Sequence, residues 1–459
     1  MSIDLRRYIP AILVALAVSS SIVFILSLVR IQNVSLPPNN KYGMVFDAGS
    51  SHTSLFVYQW TSDKTNDTGV VSQMLSCNVQ GPGISSYASD PPKAGESLRS
   101  CLEDALKVIP DERQREVPVY LGATAGMRLL SMKNKSAADL VLNEVAKSIQ
   151  QYPVNFHGAR IITGAEEGAY GWITINYLLD SFTKYSPRQR DWIHPQSAKI
   201  LGALDLGGAS TQISFIPLGP ITDQTKASKF MLYGFNYTIY THSYLCYGQN
   251  QALKQLILKI TENMMVQGSV NHPCYPEGYQ ETIKAASIHS IPCTASHLQT
   301  LSQASWNATL VGTGNATECR MAIKQIFNFT ACGQSQSCTF DGIYQPPVNG
   351  EFFLKSSYPK EKDQRLREYC ANANYILVLL LDAYKFNQSS WSSIKFQMKA
   401  ADTDIGWALG YVLNLTNMIP AEAPEQVKGQ QRGLWAATIF FIVLTLAFCL
   451  VGLLIHFLG

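Results

Sequence analysis

The chain has 459 residues, 46% of them hydrophobic, with a net charge of +3 and no run of Lys or Arg. That balance argues against a nucleic-acid partner. No repeat of solenoid period and no low-complexity tract is present, which excludes the repeat and compositionally biased classes.

From the N-terminus, residues 1–8 carry Arg6 and Arg7 and lead into an uncharged run, Ile9 to Val29 (9–29). A second run, Leu434 to Leu454 (434–454), precedes a short tail, 455–459. Each is 21 residues long, enough to cross a hydrocarbon core of ~30 Å as a helix. A cleaved signal peptide competes for the first run, because Ala15-Leu16-Ala17 resembles a cleavage site. The apolar sequence continuing past Ala17 favours an anchor. Arg6 and Arg7 favour a cytoplasmic N-terminus, an argument that Arg30 on the other flank weakens. The expectation is a plasma-membrane protein with the bilayer as a partner, both termini cytoplasmic and a large extracellular portion. Homo-oligomerisation through the membrane helices stays open.

Nine Asn-x-Ser/Thr sequons lie between the spans, at Asn33, Asn66, Asn134, Asn236, Asn307, Asn315, Asn328, Asn387 and Asn414. Their density fits a surface exposed to the secretory lumen. Nine of the ten cysteines fall there too: Cys77, Cys101, Cys246, Cys274, Cys293, Cys319, Cys332, Cys338 and Cys370. Without a Cys-x-x-Cys zinc spacing they read as disulfide partners in an oxidising compartment. Cys449, inside the second span, reads as a small apolar residue.

The extracellular portion reads as two α/β units with central sheets, 30–177 and 178–431. The first has a strand hairpin at 42–59, an apolar strand Val117 to Leu121, a helix Ser136 to Tyr152 and a strand His157 to Thr163. The second opens with strands over Ile200 to Phe215 and has helical patterns at Leu253 to Met264 and Tyr375 to Phe386. A polar, cysteine-rich insertion, 271–338, interrupts it, and disulfides are expected to stabilise that stretch more than a large core does.

Two segments are near-copies: Val45-Phe46-Asp47-Ala48-Gly49-Ser50-Ser51-His52-Thr53 and Ala203-Leu204-Asp205-Leu206-Gly207-Gly208-Ala209-Ser210-Thr211. Each is an apolar strand ending in Asp, a small-residue turn and a second strand. Such turns let backbone N–H groups approach an anion, while the Asp can hold a hydrated cation. The repetition suggests a duplicated lobe gripping a polyphosphate from both sides. Leu121-Gly122-Ala123-Thr124-Ala125-Gly126-Met127-Arg128 is a third small-residue turn, in which Thr124 could bond a phosphate or a metal-bound water. A simple strand-to-helix connection is the plainer reading of that turn. In the fourth segment, Thr163-Gly164-Ala165-Glu166-Glu167-Gly168-Ala169-Tyr170-Gly171-Trp172, a carboxylate at a strand mouth suits a general base. Chemistry alone does not rank Glu166 against Glu167. In the fifth, Asp402-Thr403-Asp404-Ile405-Gly406-Trp407-Ala408-Leu409-Gly410, Trp407 serves equally well as a cleft wall or as core.

In this order and between two apolar runs, the five segments resemble the apyrase conserved regions of the ecto-nucleoside triphosphate diphosphohydrolase family. So do Gly81-Pro82-Gly83-Ile84-Ser85-Ser86-Tyr87 and Thr241-His242-Ser243-Tyr244-Leu245-Cys246. The resemblance covers essentially the whole chain. It implies an α/β fold of two ribonuclease-H-like lobes, of the actin, hexokinase and Hsp70 type, with the nucleotide between them and a transmembrane helix at each end. It also implies hydrolysis of extracellular nucleoside tri- and diphosphates (ATP, ADP, UTP, UDP) to monophosphates with Ca²⁺ or Mg²⁺. In the family pattern the base is Glu167. Asp47 and Asp205 match acids that hold the metal through water. Ser50, Ser51, His52, Thr124, Gly208, Ala209, Ser210 and Gln212 match positions on the phosphates or the attacking water, and Tyr384 resembles a tyrosine that stacks on the nucleobase.

The chain also departs from the family. Only Val348 to Tyr369 separate Gln345-Pro346-Pro347 from Cys370, where cell-surface relatives have an added aromatic cluster with a second base-stacking tyrosine and a further cysteine. Family order pairs Cys77 with Cys101, Cys246 with Cys293, Cys274 with Cys319 and Cys332 with Cys338, leaving Cys370 unpaired. A shortened splice or deletion variant with weakened or no activity is therefore an alternative, as is a nucleotide-driven switch of the same fold. A receptor or adhesion glycoprotein would leave the phosphate-type turns unexplained. No P-loop, His-Glu-x-x-His or Gly-x-Ser-x-Gly signature occurs. His157, His194, His242, His272, His289 and His297 are scattered without ligand spacing.

Overall fold

Two sheets of the same connectivity carry the molecule. In the first lobe β1 (Asn40–Ala48) and β2 (Thr53–Thr61) form a hairpin, and β3 (Ser72–Asn78) extends it in antiparallel fashion. On the other side β4 (Pro118–Ala123) and β5 (Asn155–Ile161) add in parallel, giving the order β3-β2-β1-β4-β5. The second lobe consists of β6 (Gly202–Leu206), β7 (Ser210–Phe215), β8 (Ala227–Leu232), β9 (Phe235–Leu245), β10 (Phe352–Ser356) and β11 (Ile394–Phe396), in the order β8-β9-β7-β6-β10-β11. Without the edge strand β8, both the order and the strand directions repeat those of the first lobe. These are the two ribonuclease-H-like lobes. The computed structural model describes residues 9–28, 32–35, 38–195, 199–262, 268–284, 288, 292–294, 307–333, 335, 337–356, 363–397, 399–400, 403–422, 426–429 and 432–458. Arg6, Arg7, Val29, Arg30, His289, His297 and Asp402 lie outside them.

Parallel neighbours need crossover connections, and helices supply them. Between β4 and β5 run α1 (Ala125–Lys133) and α2 (Lys135–Ile149). Ala138, Val141, Val145 and Ile149 of α2 form one buried stripe at helical spacing, and the Asn134 side chain caps its start by accepting from the Ala137 N–H at 3.0 Å. After β5 comes α3 (Gly164–Leu178), whose first turn carries a capping box between Thr163 and Glu166. The strand expected to reach Thr163 thus stops at Ile161, and the fourth motif begins a helix. In the second lobe α4 (Gln249–Thr261), α5 (Tyr369–Leu377) and a π-helical turn at Val378–Ala383 share one core with β6, β7 and β9.

The lobes are joined by a reciprocal crossing. Helix α3 follows the first sheet in sequence yet packs on β6, β7 and β9, whereas α6 (Trp407–Thr416), from the end of the second lobe, packs on β1 and β2. The two helices meet at Gly410, where an added methyl would lie 2.0 Å from the Tyr170 carbonyl oxygen. Thr174 Oγ1 stitches the contact, donating to the Gly406 carbonyl at 2.5 Å and accepting from the Gly410 N–H at 2.8 Å. Around it Val45, Trp60, Trp172, Tyr237, Phe353 and Leu413 form one core drawn from both lobes.

The cysteine-rich insertion contains a small sheet of Gly268–His272, Gln280–Lys284 and Asn307–Gly312, which the polar sequence did not announce. Disulfides join Cys77 to Cys101, Cys246 to Cys293, Cys274 to Cys319 and Cys332 to Cys338. Cys370, half-buried on α5, and Cys449 are free thiols. Asn66, Asn134, Asn236, Asn307, Asn328 and Asn387 are exposed, while Asn315 and Asn414 are half-buried and Thr416 of the last sequon is fully enclosed. The Asn33 side chain is outside the described atoms.

The terminal segments form a separate unit. Helices Ile9–Leu28 and Arg432–Leu458 pack along each other, with Thr445 Oγ1 donating to Ser19 Oγ at 2.9 Å, and Gln32–Ser35 pairs antiparallel with Gln426–Gly429. By length and composition both helices suffice to cross a membrane.

Two outcomes follow. Gly410→Ala should force α3 and α6 apart and cost ~1–3 kcal/mol by overpacking; an unchanged thermal midpoint would contradict the crossing. Alkylation of the denatured but unreduced protein, read by mass spectrometry, should label Cys370 and Cys449 and spare the other eight cysteines.

Candidate active site

Asp47 and Asp205 are the penultimate residues of β1 and β6, and both acids line one cleft of about 630 Å³ between the lobes. The turns that follow face each other across it. A methyl on Gly208 would lie 2.8 Å from Ser50 Oγ, which shows how closely the two turns approach. The Ser50-Ser51-His52 turn is open on the cleft side, with Ser51 Oγ and His52 Nδ1 3.1 Å apart. The opposing turn is held from behind. The N–H groups of Gln249 and Asn250, at the start of α4, donate to the carbonyls of Gly207 (2.9 Å) and Gly208 (3.0 Å), and Cys246 N–H donates to Ala209 (2.8 Å). Thr124 occupies the N-cap position of α1 beside the first turn without a side-chain capping bond, its own N–H bonded to the Ala48 carbonyl at 3.0 Å, and it lines the cleft as well.

The adjacent glutamates have opposite surroundings. Glu166 is taken up by a bidentate pair with Arg160 (2.9 and 3.0 Å) and by the Thr163 N–H. Burial pushes its carboxyl up, but these bonds outweigh it and hold the group below its ordinary value. One residue on, a helix turns by about a quarter to a third of a circle, and Glu167 points into the cleft. Burial raises Glu167 to about 7, against the lowering pull of Arg128. Its Oε2 accepts from Arg128 Nη2 at 2.5 Å and Gln212 Nε2 at 3.1 Å. Arg128 Nη2 and Gln212 Nε2 both also reach Ser210 Oγ, at 3.2 and 2.7 Å. Gln212 Oε1 is buried without a hydrogen-bond partner.

Arg128, although within a quoted motif, was not singled out from the sequence. Neither was Lys355. Its Nζ lies 3.9 Å from Asp205 Oδ2; burial is the largest single effect on its ammonium and lowers it, but Asp205, Asp47, Glu167 and Asp404 together raise it above its ordinary value. The visible signal was a single cation in the apolar strand Phe352-Phe353-Leu354-Lys355. Burial likewise raises Asp47, with Lys355 opposing; the Trp407 indole N–H lies beside Asp47 without completing a hydrogen bond. Among the described residues no three carboxylate, His or Cys groups converge for direct metal ligation. Asp47 and Asp205, two carboxylates facing a common cleft, suit a hydrated divalent cation held through its water shell.

Trp407 answers both sequence readings at once, because it lines the cleft and is 3% exposed within the shared core. Tyr384 requires a correction. It is 1% exposed, its hydroxyl pairs with Thr211 Oγ1 at 3.1 Å, and its ring packs 5.9 Å from that of Tyr244. It is sealed beneath β7 and lines no part of the cleft, so a nucleobase cannot stack on it in this geometry.

The profile of the GDA1/CD39 (nucleoside phosphatase) family matches residues 33–358 and 353–430. The chain is 48% identical to ectonucleoside triphosphate diphosphohydrolase 8 of Bos taurus over 96% of each chain. It is 45% identical to the Homo sapiens protein of that name, over 95% of this chain and 94% of that one. It is 43% identical to ectonucleoside triphosphate diphosphohydrolase 2 of Rattus norvegicus, over 97% and 96%. The Bos taurus alignment runs over 483 positions against 459 residues here, so the relative carries residues that this chain lacks. A nucleoside triphosphate hydrolase structure from Neospora caninum superposes with a TM-score of 0.57 at 15% identity, covering 85% of this chain and 93% of that one. Motif order, duplicated lobes and near-complete coverage agree, and the chain belongs to the GDA1/CD39 nucleoside phosphatase family.

Proposed function

We propose that the protein is a membrane-anchored ectoenzyme that hydrolyses extracellular nucleoside tri- and diphosphates, including ATP, ADP, UTP and UDP, to monophosphates and phosphate. The observation that carries this reading is Glu167, buried at the head of α3 between Arg128, Ser210 and Gln212 and opposite two facing small-residue turns. The turns at Ser50-Ser51-His52 and Gly208-Ala209-Ser210, with Thr124, hold the phosphate chain through backbone N–H groups and hydroxyls. Ser210 and Gln212 hold a water in line with the terminal phosphorus, and Glu167 takes its proton as the new P–O bond forms and the bond to the bridging oxygen breaks, so that the shortened nucleotide leaves on that oxygen. Phosphoryl transfer needs positioning and charge neutralisation more than covalent help, which suits this residue set. Ca²⁺ or Mg²⁺, held through water by Asp47 and Asp205, would supply positive charge to the phosphate oxygens. Arg128 keeps Glu167 oriented and favours its ionised form.

Both termini lie on the cytoplasmic side in this reading, and the apolar end helices serve as anchors. Enclosure of Tyr384 and the shortened segment before Cys370 support a weaker grip on the nucleobase than on the phosphates.

Glu167→Gln should lower phosphate release by ~10²–10⁴-fold while a fluorescent nucleotide still binds the purified variant; wild-type turnover would sink the assignment. The pH profile supplies an independent check. A base near 7 must be ionised, so kcat/KM should fall as pH drops below about 7. Arg128→Gln removes a charge that lowers the Glu167 value, so the acid limb should move to higher pH; a limb that stays in place would exclude that coupling.

A further inference from the structure

The duplicated sheets allow each position in one lobe to be compared with its counterpart in the other. In the first lobe β1 and β4 run parallel, and Asp47 is in register with Gly122. In the second, β6 and β10 run parallel, and Asp205 is in register with Lys355. Register partners in neighbouring strands project from the same face about 4.8 Å apart. The side of Asp47 is therefore bounded by a glycine, over which the Trp407 ring lies; a methyl there would sit 2.2 Å from it. The side of Asp205 is bounded by a four-carbon ammonium instead.

The lysine is aimed at the carboxylates. Its Nζ lies 3.9 Å from Asp205 Oδ2, and a methyl placed on Gly406 would lie 3.5 Å from that Nζ and 3.9 Å from Asp47 Oδ2. The side chain is 28% exposed and lines the same cleft. Its Asp205 contact is too long for a closed ion pair of hydrogen-bond length. A flexible, partly exposed stem of this kind can withdraw.

We propose that the Lys355 ammonium stands where the divalent cation belongs, beside Asp205 and Asp47, and must be displaced before a metal can be held there. Lys355 is thus an internal competitor that raises the metal concentration this chain requires. The inference rests on the reading of the cleft as the hydrolytic site. A lysine that merely bound phosphate would act on nucleotide affinity and leave metal binding in the absence of nucleotide untouched.

The test uses the full-length protein in detergent, without nucleotide, titrated with Mn²⁺ by calorimetry. Lys355→Met should bind Mn²⁺ at least about tenfold more tightly than the unsubstituted protein, and adding Asp205→Asn should abolish the gain. Equal or weaker binding by Lys355→Met overturns the proposal. The unsubstituted protein gives a second readout that needs no variant. Saturating Ca²⁺ should increase acylation of Lys355 by a water-soluble amine reagent, measured by mass spectrometry, because the ammonium is expelled from the carboxylates; unchanged or reduced labelling overturns it. Hydrolysis lost in Glu167→Gln together with unaltered Mn²⁺ binding in Lys355→Met would reject the competitor alone. Hydrolysis retained in Glu167→Gln would instead reject the catalytic reading.

Discussion

The close crossing of α3 and α6 is the constraint on which the site depends. Helix α3 begins with Glu167 in its first turn and α6 begins with Trp407 at its first residue, so the contact that locks the helices also sets both residues at the cleft. The approach is possible because Gly410 lacks a side chain and Thr174 satisfies backbone groups of α6 from the facing helix. Each helix leaves its own lobe to cover the other's sheet. Tyr170, Trp172 and Leu413 pack together in the core that the two lobes share.

Charge is the second organising factor. Asp47, Asp205, Glu167 and Asp404 converge on a cleft in which Arg128 and Lys355 supply balancing cations. Placing so many acids together out of water is unfavourable unless their charge is matched. The two cations answer this differently. Arg128 is nearly enclosed and bonded to Glu167, a pair that fixes the orientation of the base. Lys355 is longer-reached and looser, and its charge is the one a bound cation could replace.

Much of the site was legible because its parts are local. A strand ending in Asp and a turn of Gly, Ala and Ser are encoded within nine residues, and the repetition at Asp47 and Asp205 marked two equivalent lobes before any pairing was known. Helical spacing likewise marked α2, and the Thr163-to-Glu166 capping box was present in the sequence although the segment read as a strand mouth. The strands of the cysteine-rich insertion alternate between more and less buried positions, but they are only five or six residues long and largely polar, so their sequence alone does not set them apart from loop.

What the sequence by itself determined was the kind of chemistry: two acid-tipped turns, a pair of candidate glutamates and an α/β layering. The choices between near-equivalent residues belonged to the tertiary structure. Glu166 and Glu167 are neighbours of identical type that residue chemistry does not rank; the family pattern points to Glu167, and the helix start, which turns one to Arg160 and the other to Arg128, supplies the physical reason. Tyr384 follows a helical segment that looks amphipathic in isolation, and only packing under β7 shows that its ring is enclosed. Lys355 stands 150 residues from Asp205, and no local pattern joins them. Their contact exists because parallel pairing brings β10 beside β6 in that register, a relation set by the fold rather than by chain neighbours.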